Sequence, residues 1–189
     1  MSFPTREIRD PRAMRALAHP TRVTLLELLV REGPLTATRA GELLGESPAS
    51  ASFHLRQLAK YGFVVEAEGG RGRERPWQIA AYSHRWLDDP AEPAATLLST
   101  ILAERNMLRL AEWFERMQDE DKAWQDASAV LDSILYLTAG ELDELGEQVV
   151  ALARRYVART ADPSLRPEGS RPVSLLAYTF PLEPTPSGN

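Results

Sequence analysis

Residues 44–65 read LGESPASASFHLRQLAKYGFVV, and the periodicities inside this stretch decide how the rest of the chain is organised. Gly45 ends one helix, Glu46 is a turn residue, and Ser47-Pro48 supplies an N-cap followed by proline at the first helical position. Ala51, Leu55 and Leu58 then recur at i, i+4 and i+7, the buried stripe of a short helix. After Tyr61-Gly62 the period changes from helix to strand. Phe63, Val64 and Val65 begin a run that breaks at Gly69-Gly70-Arg71-Gly72 and resumes at Trp77, Gln78 and Ile79, a hairpin with a long tip.

Upstream, Thr36 is placed to cap a helix in which Ala40, Leu43 and Leu44 face inward. Gly33-Pro34 stops the helix before it, whose Leu25, Leu26, Leu28 and Leu29 make a wide apolar face and which Thr21 can cap. A first helix holding Met14, Leu17 and Ala18 ends at His19-Pro20, because the residue before a proline is pushed out of the helical region. Two short helices joined by a glycine turn, the second running into a hairpin, form a winged helix-turn-helix. The expected fold class is mainly α with a small β component. A winged helix-turn-helix domain over residues 1–85 precedes a helical dimerisation region with a strand-helix-strand extension and a loose tail over 86–189.

The 189 residues are enough for one large domain or two small ones, and 43% hydrophobic residues is a globular composition. The absence of cysteine excludes disulfide scaffolds, thiolate metal sites and thiol nucleophiles. No apolar run reaches the ~18 residues of a membrane span, and the N-terminus lacks an apolar signal core, so a cytoplasmic protein without a membrane partner is expected. The net charge of -5 hides an asymmetry: residues 1–85 carry 13 basic and 9 acidic side chains, a balance of +4, and 86–189 carry 9 and 18, a balance of -9. Arginine outnumbers lysine 20 to 2, a codon bias that obliges each arginine to be argued from its position.

The segments RALAHPTRVTLLELL (15–29), LGESPASASFHLRQLAKYGFVV (44–65) and GRGRERPW (70–77) together resemble the ArsR-type winged-helix repressors of bacteria over roughly the first 85 residues. The resemblance implies a homodimeric repressor that binds a pseudo-palindromic DNA operator and is released by an effector. Three positions depart from the family pattern: Ala40 and Gly41 stand where a leucine and an alanine are usual, and Glu46 where an aliphatic residue is preferred. These departures thin the packing of the third helix. Metal-sensing members place cysteines in that helix, and 36–42 contains none.

In a winged helix the second helix of the motif enters the major groove with its N-terminal residues nearest the base edges. Around its start at Ser47, the outward residues are then Ala49, Ser50, Ser52, Phe53, Arg56, Gln57 and Lys60. Ser52 and Gln57 suit base edges or phosphates, Phe53 a thymine methyl, and Arg56 and Lys60 backbone phosphates. His54 falls between the two faces and is either a half-buried histidine bonded to a carbonyl or a phosphate ligand. Arg71, Arg73 and Arg75 alternate along the wing, a spacing suited to the minor groove or its flanking phosphates, the plain alternative being a solvated hairpin tip.

Further on, a helix over 93–118 carries Leu97, Ile101, Leu108, Leu110 and Phe114 on an arc too wide for an 85-residue domain to cover, which points to a partner copy; an intrachain core helix is the alternative. Asp119-Glu120-Asp121 reads as a solvated helix end. A short strand over 134–137, a capping box at Thr138 and Glu141, a helix with Leu142, Leu145, Val149, Leu152 and Tyr156 at heptad spacing, and a strand over 173–180 complete the expected extension. Trp113, Trp124 and Tyr136, with Tyr156 and Tyr178, can line an effector pocket or belong to a core. His19, His54 and His84 are scattered in sequence, and even with Asp88 and Asp89 near the last they make no metal site; no cofactor is expected. There is no nucleophile-base pair and no phosphate loop, so an enzyme is not expected. The competing reading is a winged-helix protein-interaction module without DNA selectivity.

Overall fold

The computed structural model describes residues 5–69, 75–81, 83–85 and 91–183. Strand β1 (Thr5–Glu7) leads into α1 (Pro11–Leu17), α2 (Pro20–Glu32), α3 (Ala37–Leu44) and α4 (Pro48–Lys60). Strands β2 (Val64–Glu66) and β3 (Trp77–Ile79) then pair antiparallel, Val64 opposite Ile79 and Glu66 opposite Trp77. β4 (Ser83–Arg85) runs parallel to β1, a pairing that three-residue segments give no periodic warning of. Trp77 also exchanges both backbone bonds with Leu35, at 3.0 and 2.8 Å, which anchors the hairpin base to the α2–α3 connection.

The helix boundaries follow local chemistry. Asp10, Thr36 and Ser47 cap α1, α3 and α4 by accepting from Arg12, Arg39 and Ser50 backbone N–H groups, and Gly45 closes α3 at φ 69°. At α2 the cap is His19, with no side-chain bond; Pro20 takes the first position, which displaces Thr21 one step into the helix.

One core unites these elements. Leu25, Leu55, Leu58, Phe63 and Leu98 are wholly enclosed, each side chain contributing about 1.5–3 kcal/mol by leaving water. Within α3 the inward residues are Ala40 and Gly41, while Leu43 is exposed, a correction to the expected inward leucine. The reason is steric. A Cβ on Gly41 would stand 2.9 Å from the Glu46 carbonyl and 3.2 Å from the Pro48 nitrogen, so the bare glycine lets the turn fold tightly back on α3. The departure that thins this helix in sequence is what closes the two helices together.

α5 (Pro93–Arg116) buries Ala94, Ala95 and Leu98 in the same core and continues through a 3-10 turn, Met117–Asp119, to the short α6 (Lys122–Ala127). Glu27 of α2 holds both Arg105, at 3.0 Å, and Arg109 of α5. α7 (Ala139–Ala161) starts at the expected capping box, the Thr138 side chain accepting from the Glu141 N–H and the Glu141 carboxylate accepting from the Thr138 N–H. The strands expected on either side of α7 do not form: 134–137 and 173–180 are extended but pair with nothing among the described residues. Sheet pairing needs a neighbour, and none of the described strands runs beside them. No described helix is long and apolar enough to cross a membrane.

Gly41→Ala should lower unfolding free energy by about 1–3 kcal/mol in urea titrations, as overpacking against backbone does. Gly146→Ala, where a Cβ meets nothing within 4 Å, should leave stability unchanged or raise it by about 0.5–1 kcal/mol.

Candidate nucleic-acid interface

α4 is divided cleanly in two. Ala51, Leu55 and Leu58 are fully buried, as their spacing requires, and this leaves the other side free. Ser47, Ala49, Phe53, Arg56 and Lys60 are exposed, while Ser50, Ser52, His54 and Gln57 are half-buried. Phe53 keeps half its surface in water, a cost that packing does not explain. Arg56 has no ionic partner among the described residues, and the Lys60 ammonium stands 5.6 Å over the Tyr61 ring. Ser47 is engaged as the cap, and Ser50 Oγ donates to Glu46 at 2.6 Å.

Glu46, read from sequence only as a turn residue, is a junction. Its carboxylate accepts from Ser50 of α4 and, at 3.3 Å, from Thr21 Oγ1 of α2, fixing the start of α4 against the start of α2. The signal was present as a carboxylate four residues before Ser50, but its second partner is 25 residues away. Arg6 was also missed. It donates to the Tyr61 carbonyl and lies 4.6 Å over the Phe63 ring, tying the N-terminal strand to the end of α4.

His54 is half-buried, as one of its two readings expects, but its Nδ1 finds no carbonyl. Its ring lies 4.8 Å from that of His19 and edge-on to Phe53 at 5.3 Å, so two histidines scattered in sequence are neighbours in space. Both Nδ1 atoms, and Arg22 Nε, are buried with no hydrogen-bond partner. Burial and the Arg22 charge push both imidazoles below their ordinary pKa, and for His19 the charge on His54 adds to this; the Glu46 carboxylate opposes it. Among the described residues no group of three or more His, Asp or Glu is arranged to hold a metal ion.

In the wing, Arg71 and Arg73 lie outside the described residues. Arg75 is exposed and 3.5 Å from Glu66. Asp88 and Asp89 and the His84 side chain also lie outside them.

On α5, Leu97, Leu108 and Phe114 are exposed, and Ile101 and Leu110 half-buried. Of the three candidate pocket aromatics, Trp113 and Trp124 lie under two arginines that both meet Glu120. Trp113 is covered by Arg116 at 5.0 Å, Trp124 by Arg171 at 4.8 Å, and Tyr136 is 98% exposed, because the segment that carries it finds no strand partner.

The elements from α1 to β3 are thus a winged helix-turn-helix, with α4 as its second helix. In agreement, residues 17–67 match the family model of a helix-turn-helix domain. Among solved structures, the chain is similar to the homodimeric winged helix-turn-helix DNA-binding domain of Mb0332 from Mycobacterium bovis, a possible ArsR-family transcriptional regulator. That match has 22% identity and a TM-score of 0.35 over 50% of this chain and 76% of that one. M. tuberculosis Rv0081 matches at 26% identity and TM-score 0.34 over 53% and 86%. Lactococcus lactis ZitR in complex with DNA matches at 16% and 0.30 over 72% and 73%. Comparison with curated proteins found no match.

The half-buried histidine pair makes stability depend on pH. Above 6.5, the ordinary value of both groups, folded and unfolded chains are alike neutral there and the full stability is present. As pH falls below 6.5 the unfolded chain takes up protons that the folded one resists, so stability declines until the lower folded values are passed. Urea unfolding between pH 8 and 5 should show this decline, and His19→Gln with His54→Gln should flatten it.

Proposed function

We propose that the protein is a sequence-specific DNA-binding transcriptional regulator, a homodimeric repressor that holds a pseudo-palindromic operator and is released by a small-molecule effector. The observation that carries this reading is α4: one face is wholly enclosed, and the other presents Phe53, Arg56 and Lys60 to solvent beside an antiparallel hairpin. A major groove accepts such a helix, Arg56 and Lys60 serving phosphates, and Ser52, Phe53 and Gln57 the base edges. The alternating spacing of Arg71, Arg73 and Arg75 in the sequence suits the adjacent minor groove or its flanking phosphates. Acidic residues over 86–189 repel DNA elsewhere and so favour docking through the reading head.

A dimer is required by operator symmetry, since each copy presents one α4, and the half-sites lie ~34 Å apart. The uncovered Leu97, Leu108 and Phe114 supply the apolar surface for it. The reading needs no catalytic group, cofactor or metal.

Electrophoretic mobility shift with fragments from upstream of the protein's own gene tests this. The expected result is a sequence-preferring shift whose affinity drops about 10³- to 10⁵-fold between 50 and 200 mM salt if the dimer neutralises ~6–10 phosphates. Arg56→Ala with Arg73→Ala should weaken it across all sequences and reduce the salt slope by about 1 per lost phosphate contact. A shift indifferent to sequence and to both substitutions would remove the proposal.

A further inference from the structure

Among the described residues none beyond α5 is buried: the buried apolar residues all lie between Ile8 and Leu98. Yet two segments there are strongly apolar and almost uncharged, 129–137 carrying only Asp132 and 172–182 no charge at all, in a half of the chain whose balance is -9. Leu131 is 92% exposed, Ile134 76%, Tyr136 98%, Val173 74%, Leu175 63% and Phe180 69%. Together these side chains expose on the order of 800 Å² over the two segments, about the share one partner gives to a stable interface.

The second segment is held extended. Arg171 forks onto Glu120 with both nitrogens at 2.8 Å, Arg109 donates to Ser174 Oγ at 3.2 Å, and Asn106 donates to the Tyr178 hydroxyl at 2.7 Å. The fork holds the Glu120 carboxyl down at about 2, so it persists through the neutral and mildly acid range. The partners fall in reverse order, Glu120 just past the turn that follows α5 and then Arg109 and Asn106 on α5, so the segment runs antiparallel to the helix as a strap. Ser174 and Tyr178 turn toward α5; Val173 and Leu175, at the alternate positions, turn away. Neither segment makes a backbone–backbone hydrogen bond among the described residues.

We propose that these segments are interface strands, the strap over 173–180 pairing antiparallel with the strap of a second copy of this chain across a two-fold axis, with 130–137 packed beside it. A second copy fits for three reasons. The exposed area is about one partner's share, the uncharged strands meet without like-charge repulsion although both copies are acidic, and the strap lies along the same helix whose bare Leu108 and Phe114 are already assigned to the dimer. The inference rests on the homodimer reading and adds a second contact to it, one that fixes the copies' spacing through the extension.

The chain has no cysteine, so single cysteines report cleanly. In full-length protein, Val173→Cys, Leu175→Cys, Ala177→Cys and Thr179→Cys are oxidised one at a time and scored for disulfide-linked dimer. Across a two-fold axis each two-residue step from the axis separates the paired positions by about 14 Å, beyond the ~7 Å a disulfide spans. The expected result is one strong position with steep loss on either side. Val173→Lys with Leu175→Lys should raise the dimer dissociation constant at least tenfold by sedimentation, with helicity unchanged by circular dichroism. A dimer that forms no crosslink, equal crosslinking at all four positions, a lysine variant that dimerises normally, or a monomer bound to a different protein would each overturn the proposal. The operator shift is read separately on the same samples, so a salt-sensitive shift by a protein without the strap contact leaves DNA binding standing.

Discussion

The fit between α3 and the start of α4 is the constraint on which the rest depends. Because Gly41 has no side chain, the Glu46–Pro48 backbone can lie against α3, and α4 leaves the turn at an angle that puts Ala51, Leu55 and Leu58 wholly inside. A helix with one face fully enclosed has its opposite face fixed in direction. The Glu46 carboxylate adds a polar brace at the same point, holding Thr21 and Ser50 together, and the histidine pair fills the space between those two helix ends.

Local chemistry makes the helix-turn-helix legible in the sequence. Ser47-Pro48, Thr36 and Gly45 mark boundaries because a cap or a left-handed residue acts within one turn, and the stripe Ala51, Leu55, Leu58 was placed correctly because its spacing alone decides which side is buried. Contacts between distant residues were not legible. The His19–His54 pair, the second partner of Glu46 and the Arg6 contacts with Tyr61 and Phe63 all join residues far apart in sequence, with no period to reveal them. Leu43 shows the opposite failure: its apolar side chain suggested an inward position that the close approach at Gly41 had already taken.

In the second half, the capping box gave α7 its start, while β-rich composition at 134–137 and 173–180 predicted strands that a single chain does not assemble. Composition states a preference for extended backbone; pairing depends on a neighbour. The aromatic residues carry no period that shows their neighbours: Trp113 and Trp124 lie under arginines, and Tyr136 is exposed on an unpaired segment.

Glu27 grips Arg105 and Arg109, which lie one turn apart on α5, and this has a mechanical consequence. Sliding α5 along its axis must lengthen one ion pair as it shortens the other, so the helix has a preferred stop and resists displacement by a fraction of its ~5.4 Å pitch. Glu27 is therefore a latch between α2 and α5, set beside the core that Leu25 of α2 and Leu98 of α5 share.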